Sequence, residues 1–281
     1  MVVLNLDQSA IFSKKRRVMD FKKKFKAGVV QFDIINGQIE TNMARVFENL
    51  ELLASQGVRL AVLPEMFSCG FDNACLKDHA VHTGPILDRL SRFAREQGMA
   101  VAGSLPEREE GRIYNTQYFI DTDGCVKGKY RKLHLFRLTD EHLFYSAGDK
   151  MVTLDSALGR IGLMICYDLR FPELGRNLFL AGADMVIVSA QWPEPRQHHW
   201  RHLAVARAIE NQLYMVCANR TGGDDTLKFP GMSMVVDPLG EIVADAGAID
   251  EIAVATIEME RVSRARLLIP CITDRRSDVY G

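Results

Sequence analysis

Three observations on this sequence predict a single α/β domain. Short apolar, β-branched runs alternate with stretches of helical periodicity from Ala27 to Ile257. No low-complexity linker or compositional shift interrupts that span, so one body of alternating strands and helices is the economical reading. The 281 residues, 47% hydrophobic and 25% charged, are enough to bury a sizeable core at an ordinary globular composition. A net charge of −1 sets up no global field for nucleic acid, and no apolar run approaches the length of a membrane span. The cysteines (Cys69, Cys75, Cys125, Cys166, Cys217 and Cys271) are scattered, with no C-x-x-C pair. That suits a reducing compartment and argues against a disulfide framework or a zinc ribbon. Residues 1–26 lack a signal-peptide pattern, so a cytoplasmic protein is expected.

The elements follow in order. Lys14-Lys15-Arg16-Arg17 and Lys22-Lys23-Lys24 lie in a stretch with little apolar periodicity. Residues 1–26 therefore read as a flexible, solvated basic extension, within which Met19 is an alternative start. Ala27–Phe32 reads as the first buried strand. Thr41–Ser55 carries Val46, Leu50 and Leu53 on one helical face and stops at Gly57. Leu60–Leu63 is the next strand, Pro85–Gln97 the second amphipathic helix and Met99–Leu105 a further strand. Arg112–Asp121 and Cys125–Tyr130 form a hairpin around Asp121-Thr122-Asp123-Gly124, whose residues favour a tight turn. A polar loop from Glu141 to Gly148 precedes strands at Met151–Leu154 and Arg160–Ile165. The alternation then repeats: helix Pro172–Ala181, strand Asp184–Ala190, helix Arg196–Asn211, strand Leu213–Ala218. A hairpin joins Met232–Val236 to Glu241–Val243, Ile252–Ile257 is the last core strand, and 259–281 is a short helix and tail.

The chain is organised around Cys166. It ends the apolar run Ile161–Ile165, and Pro172 and Glu173 then suit the first turn of a helix. Such a strand-to-helix turn exposes backbone N–H groups and favours a nearby thiolate. Two further polar groups also follow strands. Glu65 comes after Leu60–Leu63 and a proline, and Lys132 comes after the hairpin. A cysteine nucleophile needs a base for its proton and donors for the oxyanion formed on attack. Glu65 can be that base, and Lys132 with the Tyr167 N–H can supply the donors.

Three stretches carry a resemblance to the nitrilase superfamily of carbon–nitrogen hydrolases. They are Leu63-Pro64-Glu65-Met66-Phe67, Tyr130-Arg131-Lys132-Leu133-His134-Leu135-Phe136, and Ile165-Cys166-Tyr167-Asp168-Leu169-Arg170-Phe171-Pro172-Glu173. Arg207–Gln212 is a further family-like stretch. The resemblance covers residues 27 to about 258 and implies a four-layer α-β-β-α sandwich of the nitrilase type, with 259–281 as a C-terminal helix and tail. It implies Glu65, Lys132 and Cys166 as catalytic residues, with Glu141 as an additional glutamate that positions the lysine and the substrate. The implied reaction is hydrolysis of a linear C–N amide through a thioester on Cys166, releasing ammonia, with no metal or organic cofactor. The octapeptide from Cys166 to Glu173 is similar to the ω-amidase and Nit branches. Pro64-Glu65-Met66-Phe67 and Ala190-Gln191-Trp192-Pro193-Glu194-Pro195-Arg196 are similar to bacterial ω-amidases, which implies a 2-oxoglutaramate-like monoamide as substrate, and the family resemblance implies a homodimer or higher homo-oligomer. The same triad also serves N-carbamoyl amine hydrolases and nitrilases, and a silent scaffold of the same fold is the alternative of another class.

Other residues carry weaker expectations. Asp168 and Arg170 are expected to position the nucleophile, and Phe67, Tyr167 and Trp192 to wall the acyl pocket. Arg137, Arg170 and Arg196 are candidates to pair with a distal substrate carboxylate. Cys69 is read as a bystander. His198 and His202 stand at a zinc-compatible i, i+4 spacing beside His199, but the intervening Glu of a zinc protease is missing. No metal and no nucleic-acid or membrane partner is expected.

Overall fold

Strands buried on both faces need apolar residues at every position, and this chain supplies them. In the second strand, Leu60 and Val62 point toward a second sheet, while Ala61 and Leu63 point toward helices, the period of two that a pleated strand imposes. The computed structural model describes residues 24–224, 226–249 and 251–280. The basic clusters up to Lys23 and the alternative start at Met19 lie outside the described residues.

In chain order the strands are β1 (Lys24–Gln31), β2 (Val58–Val62), β3 (Ala100–Glu109), β4 (Arg112–Ile120), β5 (Val126–Arg131), β6 (Thr153–Ser156) and β7 (Gly159–Ile165). They continue with β8 (Met185–Ala190), β9 (Tyr214–Asn219), β10 (Thr221–Gly223), β11 (Lys228–Pro230), β12 (Met234–Val236), β13 (Ile242–Asp245) and β14 (Glu251–Glu258). Among the described residues two six-stranded sheets form, ordered β14-β1-β2-β3-β4-β5 and β13-β12-β9-β8-β7-β6, with β10 and β11 as a separate ribbon. Each large sheet has three adjacent parallel strands, β1-β2-β3 and β7-β8-β9, flanked by antiparallel ones.

The sheets face each other through one core, in which Ala27, Val29, Leu60, Val62 and Ala102 meet Leu163, Ile165, Met185 and Ile187. Helices close both outer faces. Ile39–Ser55 buries Met43, Val46, Leu50 and Leu53, and Thr83–Gln97 buries Ile86, Leu90 and Ala94, on the first sheet. Pro172–Leu180 and Gln197–Asn211 cover the second with Leu174, Leu178, Trp200, Ala204 and Ala208. This is the expected α-β-β-α sandwich. The Thr83–Gln97 helix stops at Gly98, whose φ of 58° completes a left-handed cap that an L side chain resists.

Four features differ from the sequence reading. The first strand begins at Lys24, so residues 24–26 are strand paired with β14 and not part of the expected flexible extension 1–26. The polar loop contains a short helix, Glu141–Phe144. A 3-10 turn, Cys166–Arg170, separates β7 from the Pro172 helix. The ribbon β10–β11, three residues per strand, is too short to leave a periodic signal. Polar ties pin the sheets together near the carboxyl ends of the parallel strands. Gln117 Nε2 donates to Ser189 Oγ at 3.0 Å, Ser189 Oγ donates to the Leu63 carbonyl at 2.8 Å, and Glu65 N donates to the Ala190 carbonyl at 3.3 Å. Ligands of open α/β sheets bind at that end.

Candidate active site

Strand carboxyl ends converge here. Glu65 follows β2, Lys132 follows β5 and Cys166 follows β7; the fourth group, Glu141, opens the short helix of the 136–144 loop. All four are buried. The backbone bends sharply at Cys166, with φ of 45°, a conformation that costs a non-glycine residue about 1–3 kcal/mol. Asp168 holds the bend. Its carboxylate accepts Ile165 N at 3.0 Å and is itself fixed by Tyr130 OH at 2.7 Å, His134 N at 3.1 Å and His134 Nδ1 at 2.7 Å. The expected positioning role of Asp168 therefore has a geometry: it ties the Cys166 turn to the segment that carries Lys132.

Lys132 Nζ donates to Glu65 Oε1 at 2.8 Å and to both oxygens of Glu141 at 2.9 Å. Glu141 Oε2 also accepts Phe136 N at 2.6 Å. Glu65 is held at every polar atom. Asn115 Nδ2 donates to Oε1 at 2.8 Å, Gln191 N donates to Oε2 at 2.9 Å, and Gln191 Nε2 donates to the Glu65 carbonyl at 2.8 Å. The Cys166 thiol shares the buried cluster with Glu65, whose charge acts on it.

Protonation follows from burial and charge together. Burial opposes the Lys132 ammonium, but Glu141, Glu65 and Cys166 outweigh it and hold the lysine well above its usual range. Burial, with Glu65 charge added, pushes the Cys166 thiol well up, and Lys132 offsets only part of this. The expectation that the turn favours a thiolate is thereby corrected: burial is the largest cause, the Glu65 charge adds to it, and together they favour the thiol against the pull of Lys132. Burial and the Glu65 charge likewise raise Glu141, against the pull of Lys132.

The four groups form the floor of a cavity of about 330 Å³. Tyr167, Phe136 and Trp192 wall it, and Phe71, Leu227 and Phe229 add apolar surface. Arg170 and Arg196 line it as well. The Arg170 guanidinium lies over the Trp192 ring, 4.7 Å from its centre, and meets His199 Nδ1 at 3.1 Å; Arg196 lies over Phe136 at 5.4 Å. Among the described residues neither has a carboxylate partner. Arg137 does not line the cavity.

Phe67 is a correction. Met66 adopts a φ of 48°, and Phe67 packs into the core beneath Gly103, where an added methyl would lie 2.7 Å from the ring. It is absent from the cavity wall. Cys69 is buried, bonds to the Gly70 carbonyl at 3.4 Å, and burial pushes its thiol up to about 12, so it is inert as expected. His198, His199 and His202 do not converge. His199 meets Arg170, and His202 Nδ1 lies 2.6 Å from the carbonyl of His198.

Sequence reasoning gave no role to Asn115, Gln191, Asp224, Thr226, Leu227 or Phe229. The signal for Asn115 was available, since Asn115-Thr116-Gln117 places three consecutive polar residues inside a strand, all buried. Together the site holds a thiol, a carboxylate able to take its proton, and an ammonium beside both, which is the equipment of nucleophilic acyl transfer.

A family model described as carbon-nitrogen hydrolase matches residues 26–267. The chain is 38% identical over 261 residues to a 2-oxoglutaramate amidase of Bacillus subtilis, covering 92% of this chain and 100% of that protein. It is 31% identical over 269 residues to the human omega-amidase NIT2, covering 92% and 97%. The crystal structure of the Caenorhabditis elegans NitFhit protein superposes with a TM-score of 0.87 at 30% identity, covering 93% of this chain and 67% of that one.

Proposed function

The chain belongs to the carbon–nitrogen hydrolase family, and from that premise we propose that it is an ω-amidase, hydrolysing the terminal amide of a small dicarboxylic acid monoamide such as 2-oxoglutaramate. One observation carries the substrate class. Two guanidiniums without a carboxylate partner among the described residues, Arg170 and Arg196, line the cavity whose floor is Cys166, Glu65, Lys132 and Glu141. An amide with a distal carboxylate satisfies them, because guanidinium and carboxylate pair with matched geometry. The substrates named for the B. subtilis and human relatives point the same way.

In this reading Glu65 takes the thiol proton as Cys166 Sγ attacks the amide carbonyl. A raised thiol suits that order, since proton and sulfur then move in one step and no thiolate has to persist. Lys132 and the Tyr167 N–H hold the oxyanion. The lysine must exchange one of its contacts to Glu65 or Glu141 for it, because its three hydrogen bonds are already made. Loss of one such donor typically costs about 2.7–4 kcal/mol of barrier. Glu65 then gives its proton to the departing ammonia, leaving a thioester on Cys166. Water, deprotonated by Glu65, attacks the thioester, and the acid leaves as the thiol re-forms.

All six cysteines are free, which supports a reducing, cytoplasmic setting. Exposed Leu239, Leu267 and Leu268 support assembly into a homo-oligomer. The test is ammonia release from 2-oxoglutaramate, succinamate, glutamine, N-carbamoylputrescine and a simple nitrile, with Cys166→Ala as control. Preference for the first two, lost in the variant, is the expected result. Cys166-dependent release chiefly from the carbamoyl amine or the nitrile would discard the substrate class and keep the chemistry. Unchanged turnover by Cys166→Ala would end the mechanism.

A further inference from the structure

Outside the reaction cavity, one group of side chains has the chemistry of a metal site. Asp72, Cys75 and His79 each offer one ligand atom, and these atoms all lie within 4.8 Å of one another; among the described residues no other group of three does so. The spacing explains the convergence. The chain runs from Asp72 through a 3-10 turn, Asn73–Cys75, into the short helix Leu76–His79. Positions i, i+3 and i+7 then fall on one side of a helical segment, and Cys75 and His79 form an i, i+4 pair. His79 Nε2 lies 2.8 Å from Asp72 Oδ2, so the imidazole and carboxylate already face each other. Gly37 backs them. A methyl there would stand 2.9 Å from Asp72 Oδ2 and 4.0 Å from His79 Cε1, so the absent side chain leaves the pair its room.

We infer that Asp72, Cys75 and His79 bind a divalent cation of the zinc class, at a site separate from the reaction chemistry. The ligand types select the metal. One thiolate, one imidazole and one carboxylate suit Zn²⁺, whereas Mg²⁺ and Ca²⁺ take oxygen ligands. Binding replaces the Cys75 thiol proton and the Asp72–His79 contact by three metal bonds, with water in the fourth position. The thiolate and the carboxylate together neutralise the ion's two charges. Zinc bonds of about 2.0–2.3 Å set tetrahedral ligand atoms roughly 3.5 Å apart. The closure required is therefore about 1 Å, and Cys75, the most exposed of the three, has the freedom to make it. The site is one residue away from the reaction cavity on either side of Asp72, because Phe71 and Asn73 both line that cavity.

The experiment uses the full chain carrying Cys166→Ala, so that the cavity thiol does not compete for metal. The alkylation rate of each cysteine is mapped by peptide mass with and without micromolar Zn²⁺. Cys75 and Cys125 are both exposed, so Cys125 is the internal control. Zinc is expected to slow alkylation of Cys75 at least tenfold and leave Cys125 unchanged. His79→Ala should abolish that protection. In the same protein, Co²⁺ should give thiolate charge-transfer absorption that Cys75→Ser removes. Equal alkylation of Cys75 with and without zinc, in protein whose other cysteines react normally, would overturn the inference and leave Asp72–His79 as a surface ion pair. Protection that persists in His79→Ala would overturn it too.

Discussion

Asn115 is the residue whose replacement tests the site most sharply. Its amide donates to Glu65 Oε1 at 2.8 Å, and its own Oδ1 is buried without a partner among the described residues. Asn115→Asp keeps the shape and replaces the donor by a second carboxylate. The two charge centres then sit roughly 4 Å apart, where like charges at an effective dielectric of about 20 repel by about 4 kcal/mol. At 1.36 kcal/mol per unit this is about three units. Lys132, bonded to Glu65, relieves part of it, leaving an expected rise of about two units. The pair binds one proton in common, as two carboxylates sharing a site do. The base must be ionised to accept the thiol proton, so the sign is fixed: the acid limb of kcat/KM moves up by about two pH units, and at pH values on that limb kcat/KM falls roughly a hundredfold. Asn115→Ala removes one hydrogen bond to the ionised carboxylate, about 1.5–3 kcal/mol; this also favours the protonated form, so the limb moves up in the same direction but by less, because no second charge is added. The assay is ammonia release across the pH range on protein shown to be folded by its thermal transition. A folded Asn115→Asp protein whose profile superimposes on the unaltered one would refute the assignment of Glu65 as the base.

Three further outcomes are expected. Glu141→Gln removes the largest charge holding Lys132 up and one of those holding the Cys166 thiol up. It should lower kcat by about a hundredfold, the scale of one oxyanion donor, with little change in KM, and should make Cys166 titrate at lower pH, read by thiolate absorbance. Arg170→Gln should raise KM by about 10- to 100-fold for a carboxylate-bearing amide, the scale of one charge-assisted hydrogen bond, and leave an uncharged amide such as butyramide unaffected; equal effects on both would remove Arg170 from carboxylate recognition. Iodoacetamide should label exposed Cys125 before Cys166, because burial and the Glu65 charge keep the latter protonated. A chloroacetamide bearing a distal carboxylate should reverse that order, and mass mapping of the first-modified peptide decides.

Much of the fold was legible because this protein states its layers plainly. Strands between two apolar layers must be apolar throughout, so β2, β7 and β8 announced themselves, and Gly57 and Gly98 marked helix ends that only a left-handed residue closes easily. Glu65 and Cys166 were legible for a related reason, since each stands just beyond an apolar strand; β5 before Lys132 is largely polar, and the stretch Tyr130–Phe136 marked the lysine by its resemblance to the family. Phe67 was not, because its direction depends on the left-handed Met66 before it, and nothing in the residue type of methionine signals that conformation. Asn115 was hidden inside a hairpin strand whose polar run looks like a solvated face until a second sheet covers it. The protonation of Cys166 was misread because the effect of Lys132 could be weighed only once the positions of Glu65 and Glu141 were known. Local pattern places a group at a strand end, but the sign of its pKa shift depends on charges brought together from four segments.

That charge balance bears on why the cluster contains two carboxylates. Counted formally as one ammonium, two carboxylates and one thiol, the buried group of four carries one net negative charge. Further ionisation to the thiolate would make it two, in a place where burial already opposes charge. Moving the thiol proton to Glu65 keeps the total at one throughout the attack, with the negative charge passing from carboxylate to sulfur and then to the oxyanion beside Lys132. Glu141 holds the lysine in place through both oxygens and keeps it charged while Glu65 changes state. A site with only one carboxylate would lose the lysine's counter-charge whenever the base took up a proton. The second glutamate therefore separates two duties, proton transfer by Glu65 and anchoring of Lys132 by Glu141. The asymmetry of the contacts matches that division: Glu65 is bonded to Lys132, Asn115 and Gln191 at once, while Glu141 faces Lys132 and the Phe136 backbone.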